Sequence, residues 1–176
     1  AALNQCHRIT KLVNNVGISF MADLEETGLA DFDRVMRINT RVALQCTQAV
    51  VPRMKTAGFG RLVNIASRAI VGISGLSAYA ASKAALVGLT KTWAMELAPV
   101  GITANAVAPG LIDTDMLREA YSTELYEKTR ASVPVGRFGQ PADIANAVAF
   151  LFDDRSGFVN GQVLHCCGGM SIGRAG

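Results

Sequence analysis

Apolar positions along the chain follow two alternating rhythms. Short runs at Ile9 to Val13 (ITKLV), Arg61 to Ala66 (RLVNIA), Ile102 to Ala108 (ITANAVA) and Gln162 to Cys166 (QVLHC) read as strands, the second of them a β-branched run buried on both faces. Between them lie longer stretches of helical periodicity. The first, from about Leu29 to Ala57, repeats apolar residues at Phe32, Val35, Met36, Ala43, Leu44, Val50 and Val51. Pro52 is expected to bend its last turn, and Gly58 and Gly60 bracket its stop. The second, about Ser77 to Ala98, ends at Pro99 and Gly101. The third, Ala142 to Phe152, carries Pro141 at its first turn, where a missing N–H costs nothing. From the Pro109-Gly110 turn to about Gln140 little periodicity survives, and an irregular segment is predicted. Strands alternating with long helices predict an α/β fold with a parallel sheet. No internal repeat or linker interrupts it.

Composition narrows the function classes. A chain of 176 residues suits one domain. Half of it is hydrophobic and 18% is charged, with mean hydropathy +0.27, which excludes a disordered chain. Seventeen Lys and Arg against fourteen Asp and Glu leave a net charge of +3, and no basic run accompanies it. Neither nucleic acid nor a membrane is therefore an expected partner. No apolar stretch of about 18 residues suggests a membrane span. The opening AALNQCHRITK lacks a signal-peptide pattern, so a cytoplasmic location is expected. Cys6, Cys46, Cys166 and Cys167 form no CxxC, and the adjacent pair has poor geometry for a disulfide or a zinc site. Four reduced, mostly packed thiols and no metal are expected.

The residues that carry chemistry centre on Tyr79-Ala80-Ala81-Ser82-Lys83, which places a phenol and an ammonium on one face of a helix. A free phenol has a pKa near ~10, too high for proton exchange at neutral pH. A lysine cation about 4 Å away is worth on the order of 4 kcal/mol at an effective dielectric of ~20, nominally about three pKa units downward. That direction suits a general acid-base, although a packed ring beside a solvated lysine has the same spacing. The surrounding positions Ala78, Ala80, Ala81, Ser82, Ala84, Ala85 and Gly88 are all small, so the polar pair stands out. Ser67 ends the second strand, where residues line the ligand crevice of open α/β sheets. Its hydroxyl either holds a substrate carbonyl or simply closes the strand. Asn39 sits inside the first long helix, where Asn is disfavoured. It reads either as a buried structural residue or as a polar relay or helix distortion beside the site.

Taken in order, Asn14-Asn15-Val16-Gly17, Asn39, Ser67, Tyr79-x-x-x-Lys83 and Asn105-Ala106-Val107-Ala108-Pro109-Gly110 resemble the motifs of the short-chain dehydrogenase/reductase family, in particular its 3-oxoacyl-carrier-protein-reductase-like members. Phe158-Val159-Asn160-Gly161-Gln162 with Gly168-Gly169 is similar to the family's C-terminal signature. The resemblance covers almost the whole chain and implies a Rossmann-like doubly wound parallel sheet. It also implies hydride transfer between NAD or NADP and a small-molecule alcohol or carbonyl substrate. Tyr79 is then the general acid-base, and Lys83 lowers its pKa and holds the nicotinamide ribose. Ser67 orients the carbonyl, and Asn39 anchors a water-linked proton relay to Lys83. Asn15 lines the cofactor crevice, and Pro109, Gly110, Ile112 and Thr114 contact the nicotinamide amide and the phosphates. In the family the two long helices commonly build dimers and tetramers, so a homo-oligomer is expected. The segment from Asp113 to Gln140, with Met116, Leu117, Tyr121, Leu125 and Tyr126, resembles the family's variable substrate lid.

Three departures accompany the resemblance. Val16 stands for the usual Ala. The Ser67-to-Tyr79 loop is one residue short, with Arg68 beside the serine, which would alter the substrate pocket. The family's first three strands and its Gly-rich phosphate loop are missing, at least roughly 60 residues; Gly168-Gly169 and Gly173 follow the last strand with no helix behind them. The single domain should therefore be the C-terminal part of the sheet, about four strands, with Ile9 to Val13 turned into an edge strand. The rival expectation is a non-catalytic remnant or interaction module that binds no dinucleotide.

Overall fold

A computed structural model describes residues 9–172, except the side chains of Met116, Glu119 and Ala120. Cys6 and Gly173, singled out above, lie outside the described residues. Four parallel strands, β1 (Lys11–Asn14), β2 (Gly60–Ile65), β3 (Ile102–Pro109) and β4 (Val163–Cys166), hydrogen-bond in the order β1-β2-β3-β4. Their register sets Asn14 opposite Asn64, Asn64 opposite Ala106, and Ala106 opposite Val163. Each strand sits within two residues of its expected bounds. β2 is buried along its whole length and β3 at all but its last residue, as strands covered on both faces must be. β1 is the edge strand that was expected, and exposed Lys11 places a charge on it.

The first long helix is three pieces in one line: α1 (Leu29–Met36), a π-helical turn (Arg37–Arg41) and α2 (Val42–Ala57). The distortion falls on Asn39, one of the two readings of that residue. Helix α3 spans Ser77–Leu97. With α2 it covers one sheet face around Met54, Leu62, Trp93, Leu97 and Ile102. The segment predicted as irregular holds two short helices, α4 (Asp115–Ala120) and α5 (Thr123–Ala131). Thr114 and Ser122 cap them by accepting from Leu117 N and Leu125 N. Helices this short carry too few turns for a periodic signal. Helix α6 (Pro141–Phe152) starts on a capping box between Gln140 and Asp143 and covers the other sheet face. There Ala147 and Leu151 pack on Val63, Ile65 and Val107.

The two turns that feed β2 and β3 meet back to back. Gly58 and Gly101 are both left-handed, at φ of 61° and 77°, and a Cβ on Gly101 would lie 2.2 Å from the Gly58 carbonyl oxygen. Only glycine allows that approach. It fixes where two adjacent strands enter the sheet, and so where their far ends emerge at the site.

Candidate active site

Three strand ends and one helix start converge on a cavity of about 610 Å³ at the carboxyl end of the sheet. β1 delivers Asn15 and Gly17, and β2 delivers Ala66 and Ser67. β3 delivers Pro109, Gly110, Ile112 and Thr114, and the first turns of α3 deliver Tyr79 and Lys83. Parallel strands aligned in register must open together at one edge, which is why residues far apart in sequence meet there. Every expected site residue except Asn39 lines this cavity. The thiols are less uniformly packed than expected: Cys46 is exposed, Cys166 half-buried and Cys167 buried, all of them free.

Asn39 stands behind the cavity and holds its wall. Its side-chain amide donates to the Ile18 carbonyl at 2.9 Å and its oxygen accepts from Ile18 N at 2.8 Å, as a neighbouring strand would. It also donates to Ser82 Oγ at 2.9 Å. Thr40 Oγ1, on the same π turn, donates to the Ser82 carbonyl at 3.0 Å. The turn thus ties the Gly17–Phe20 segment to α3, one residue from Lys83. Gly17 packs closely at this junction: a Cβ there would sit 3.1 Å from Lys83 Nζ and 3.4 Å from Asn39 Oδ1, so the lysine head would have to shift by a few tenths of an ångström.

Ser67 is extended and caps the 3₁₀ turn Arg68–Val71, accepting from Ala69 N at 3.1 Å. Its side chain lies beside the Tyr79 phenol and pulls that group's pKa down. Lys83 is buried and donates from Nζ to the Ile65 carbonyl at 2.8 Å; among the described residues it has no ion pair. Its ammonium lies 5.7 Å from the Tyr79 ring centroid.

Two features differ from expectation. Burial pushes the Tyr79 phenol up and Ser67 only partly offsets it, so the expected lowering by Lys83 is absent in the isolated chain. The reason is electrostatic: burial penalises Lys83 itself, taking its pKa down to about 8, and its ammonium is turned to a backbone carbonyl. Arg68 begins the 3₁₀ turn and is not among the residues lining the cavity. Arg34, which sequence reasoning missed, is. It comes from α1 and stacks over the Phe20 ring at 5.4 Å, and both line the cavity wall. A single arginine among the charges of α1 carries no sequence signal of its own. In the segment after β3, Asp113 accepts a forked pair of bonds from Arg118, both 2.8 Å, and a third from Gln140 at 3.3 Å. These bonds hold its carboxyl well below the usual carboxylate range.

The sequence and the fold agree on kinship. Residues 1–171 match the family model described as enoyl-(acyl carrier protein) reductase. A hydroxy(phenyl)methylsuccinyl-CoA dehydrogenase subunit of Thauera aromatica is 46% identical over 169 residues, 94% of this chain and 66% of its own length. A 3-oxoacyl-(acyl-carrier-protein) reductase of Thermotoga maritima is 44% identical, over 94% of this chain and 67% of that protein. Among solved structures, levodione reductase superposes with a TM-score of 0.91 at 35% identity, covering 96% of this chain and 69% of the other. A 2-deoxy-D-gluconate 3-dehydrogenase-like protein of Agrobacterium tumefaciens, solved with bound NADP, gives 0.87 at 35% identity, over 93% and 68%. The chain belongs to the short-chain dehydrogenase/reductase family and has its Rossmann-like sheet. It spans about two thirds of the length of the curated relatives it matches.

Proposed function

We propose that the chain carries the substrate-side half of an NAD(P)-dependent oxidoreductase acting on a small alcohol or carbonyl compound. One observation carries the reading: a phenol, a serine hydroxyl, a buried ammonium and the Pro109-Gly110 turn line one cavity. These residues fit the nicotinamide and its ribose, with Asn15, Tyr79, Lys83, Pro109, Gly110, Ile112 and Thr114 as the holding set. When bound, NAD(P) supplies the hydride or takes it up. The protein's own groups handle the proton and the geometry. Ser67 Oγ and Tyr79 Oη hydrogen-bond the substrate oxygen; in reduction Tyr79 gives it a proton, and in oxidation it takes one. Lys83 holds the ribose and, turned from Ile65 toward the phenol, favours the phenolate. Asn39 anchors the proton relay to Lys83.

The test is turnover of a carbonyl panel with NADPH and NADH, NADPH first because a solved relative holds NADP. Tyr79→Phe is expected to lose at least about 10²-fold in kcat with its melting temperature unchanged; retained turnover overturns the assignment. The second reading is an interaction module that binds no dinucleotide. Titration of NADPH fluorescence decides between them: no binding by the folded chain selects the module. A homo-oligomer in the cytoplasm completes the proposal, with a groove of about 640 Å³ between α3 and the π turn with its flanking helices as the contact face. Among the described residues no helix is long and apolar enough to cross a membrane.

A further inference from the structure

Among the described residues lining the cavity, Lys83 and Arg34 are the charged ones, and no described carboxylate joins them. Lys83 is buried at the inner end and has a backbone partner. Arg34 is exposed at the cavity wall, with its guanidinium over the face of Phe20. Among the described residues Asp31 and Asp33, its neighbours on α1, make no ion pair with it, while Arg118, Arg130, Arg137 and Arg155 are each paired with a carboxylate. A ring-face contact fixes the guanidinium plane but uses none of its five N–H donors. An arginine held in that way keeps its fork free for a planar, doubly accepting anion.

We infer that Arg34 anchors a carboxylate on the substrate, so that the site takes an oxo acid or hydroxy acid in preference to its neutral analogue. This rests on the oxidoreductase reading for its reaction but not for its binding. The carbonyl end meets Ser67 and Tyr79, and the acid end meets Arg34 across the same cavity. Arg34 is a specificity residue and takes no part in the proton transfer.

The test compares 4-oxopentanoate with its methyl ester, which differ in charge and little in shape, and extends to 3-, 5- and 6-oxo acids to find the span. In the wild type the acid is expected to exceed the ester about tenfold or more in kcat/KM, with the preference shrinking as salt screens an exposed cation. Arg34→Gln should bring the acid-to-ester ratio near one, chiefly through the KM of the acid, and Arg34→Lys should restore part of it. Saturation-transfer NMR of the two ligands on the wild-type chain and Arg34→Gln reads binding without turnover. Equal binding of acid and ester, or a preference that survives Arg34→Gln, overturns the inference. If Arg34→Gln instead weakens NADPH binding and leaves the ratio intact, the arginine serves a dinucleotide phosphate and the substrate assignment falls. Absence of turnover on every compound with both cofactors defeats the oxidoreductase reading, and the NMR comparison still decides Arg34.

Discussion

Lys83 shows what a site residue costs its own fold. Its pKa falls from the ordinary 10.5 to about 8 because burial penalises the ammonium. The unfolded chain therefore binds the extra proton between those two values, and stability rises as pH climbs through that window. Below pH 8 the full penalty applies, an upper bound of about 3 kcal/mol. Lys83→Met should melt higher than the wild type at pH 7, with the gap narrowing between pH 8 and 10.5; a gap that does not change with pH contradicts it. A second buried chain shows the opposite balance. Asn14 Nδ2 donates to Asn64 Oδ1 at 2.8 Å, Asn64 Nδ2 to Thr90 Oγ1 at 2.8 Å, and Thr90 Oγ1 to the Leu86 carbonyl at 2.7 Å. Thr90→Val keeps the shape but strands the Asn64 amide. The expected loss is about 1–3 kcal/mol in urea denaturation, and Thr90→Ser should recover part of it.

The elements differ in how openly the sequence announces them. β2 and α3 are legible because uniform burial or a long run of small residues leaves one reading. The helices α4 and α5 are not, since their capping residues Thr114 and Ser122 precede too few turns for periodicity to appear. The π turn at Asn39 is half legible: an Asn inside a helix signals a distortion, but its bonds to Ile18 and Ser82 come only with the fold. The glycine pair between elements gives a sharp contrast. Gly58→Ala meets nothing within 4 Å and should cost about 1–2 kcal/mol for its left-handed φ. Gly101→Ala adds a clash with the Gly58 backbone and should cost clearly more, with both read from thermal melts.

For the whole molecule, one described surface bears on assembly, the groove that α3 forms with the π turn and its flanking helices. Apolar Met36, Leu44, Ala85 and Leu89 line the groove beside Gly88, together with charged residues that include Arg37 and Arg41. A side chain at Gly88 would meet no atom within 4 Å, so a larger residue fits the protomer and blocks only what docks there. Gly88→Arg should leave the protomer folded and shift light scattering from the proposed oligomer to the monomer; an unchanged mass places the interface elsewhere. A monodisperse monomer in the wild type defeats the oligomer itself.

What the sequence determined by itself were the strands, the long helices and the residue types of the site, because periodicity, Pro and Gly stops and the spacing of Tyr79 to Lys83 are local properties. Resemblance added the roles and the expected edge strand. Tertiary structure decided the rest. Lys83 turned to the Ile65 carbonyl, the raised phenol of Tyr79, and Arg34 at the cavity with Arg68 outside it depend on burial and on which loops meet. Those depend in turn on where parallel strands end in space, which no local pattern along the chain records.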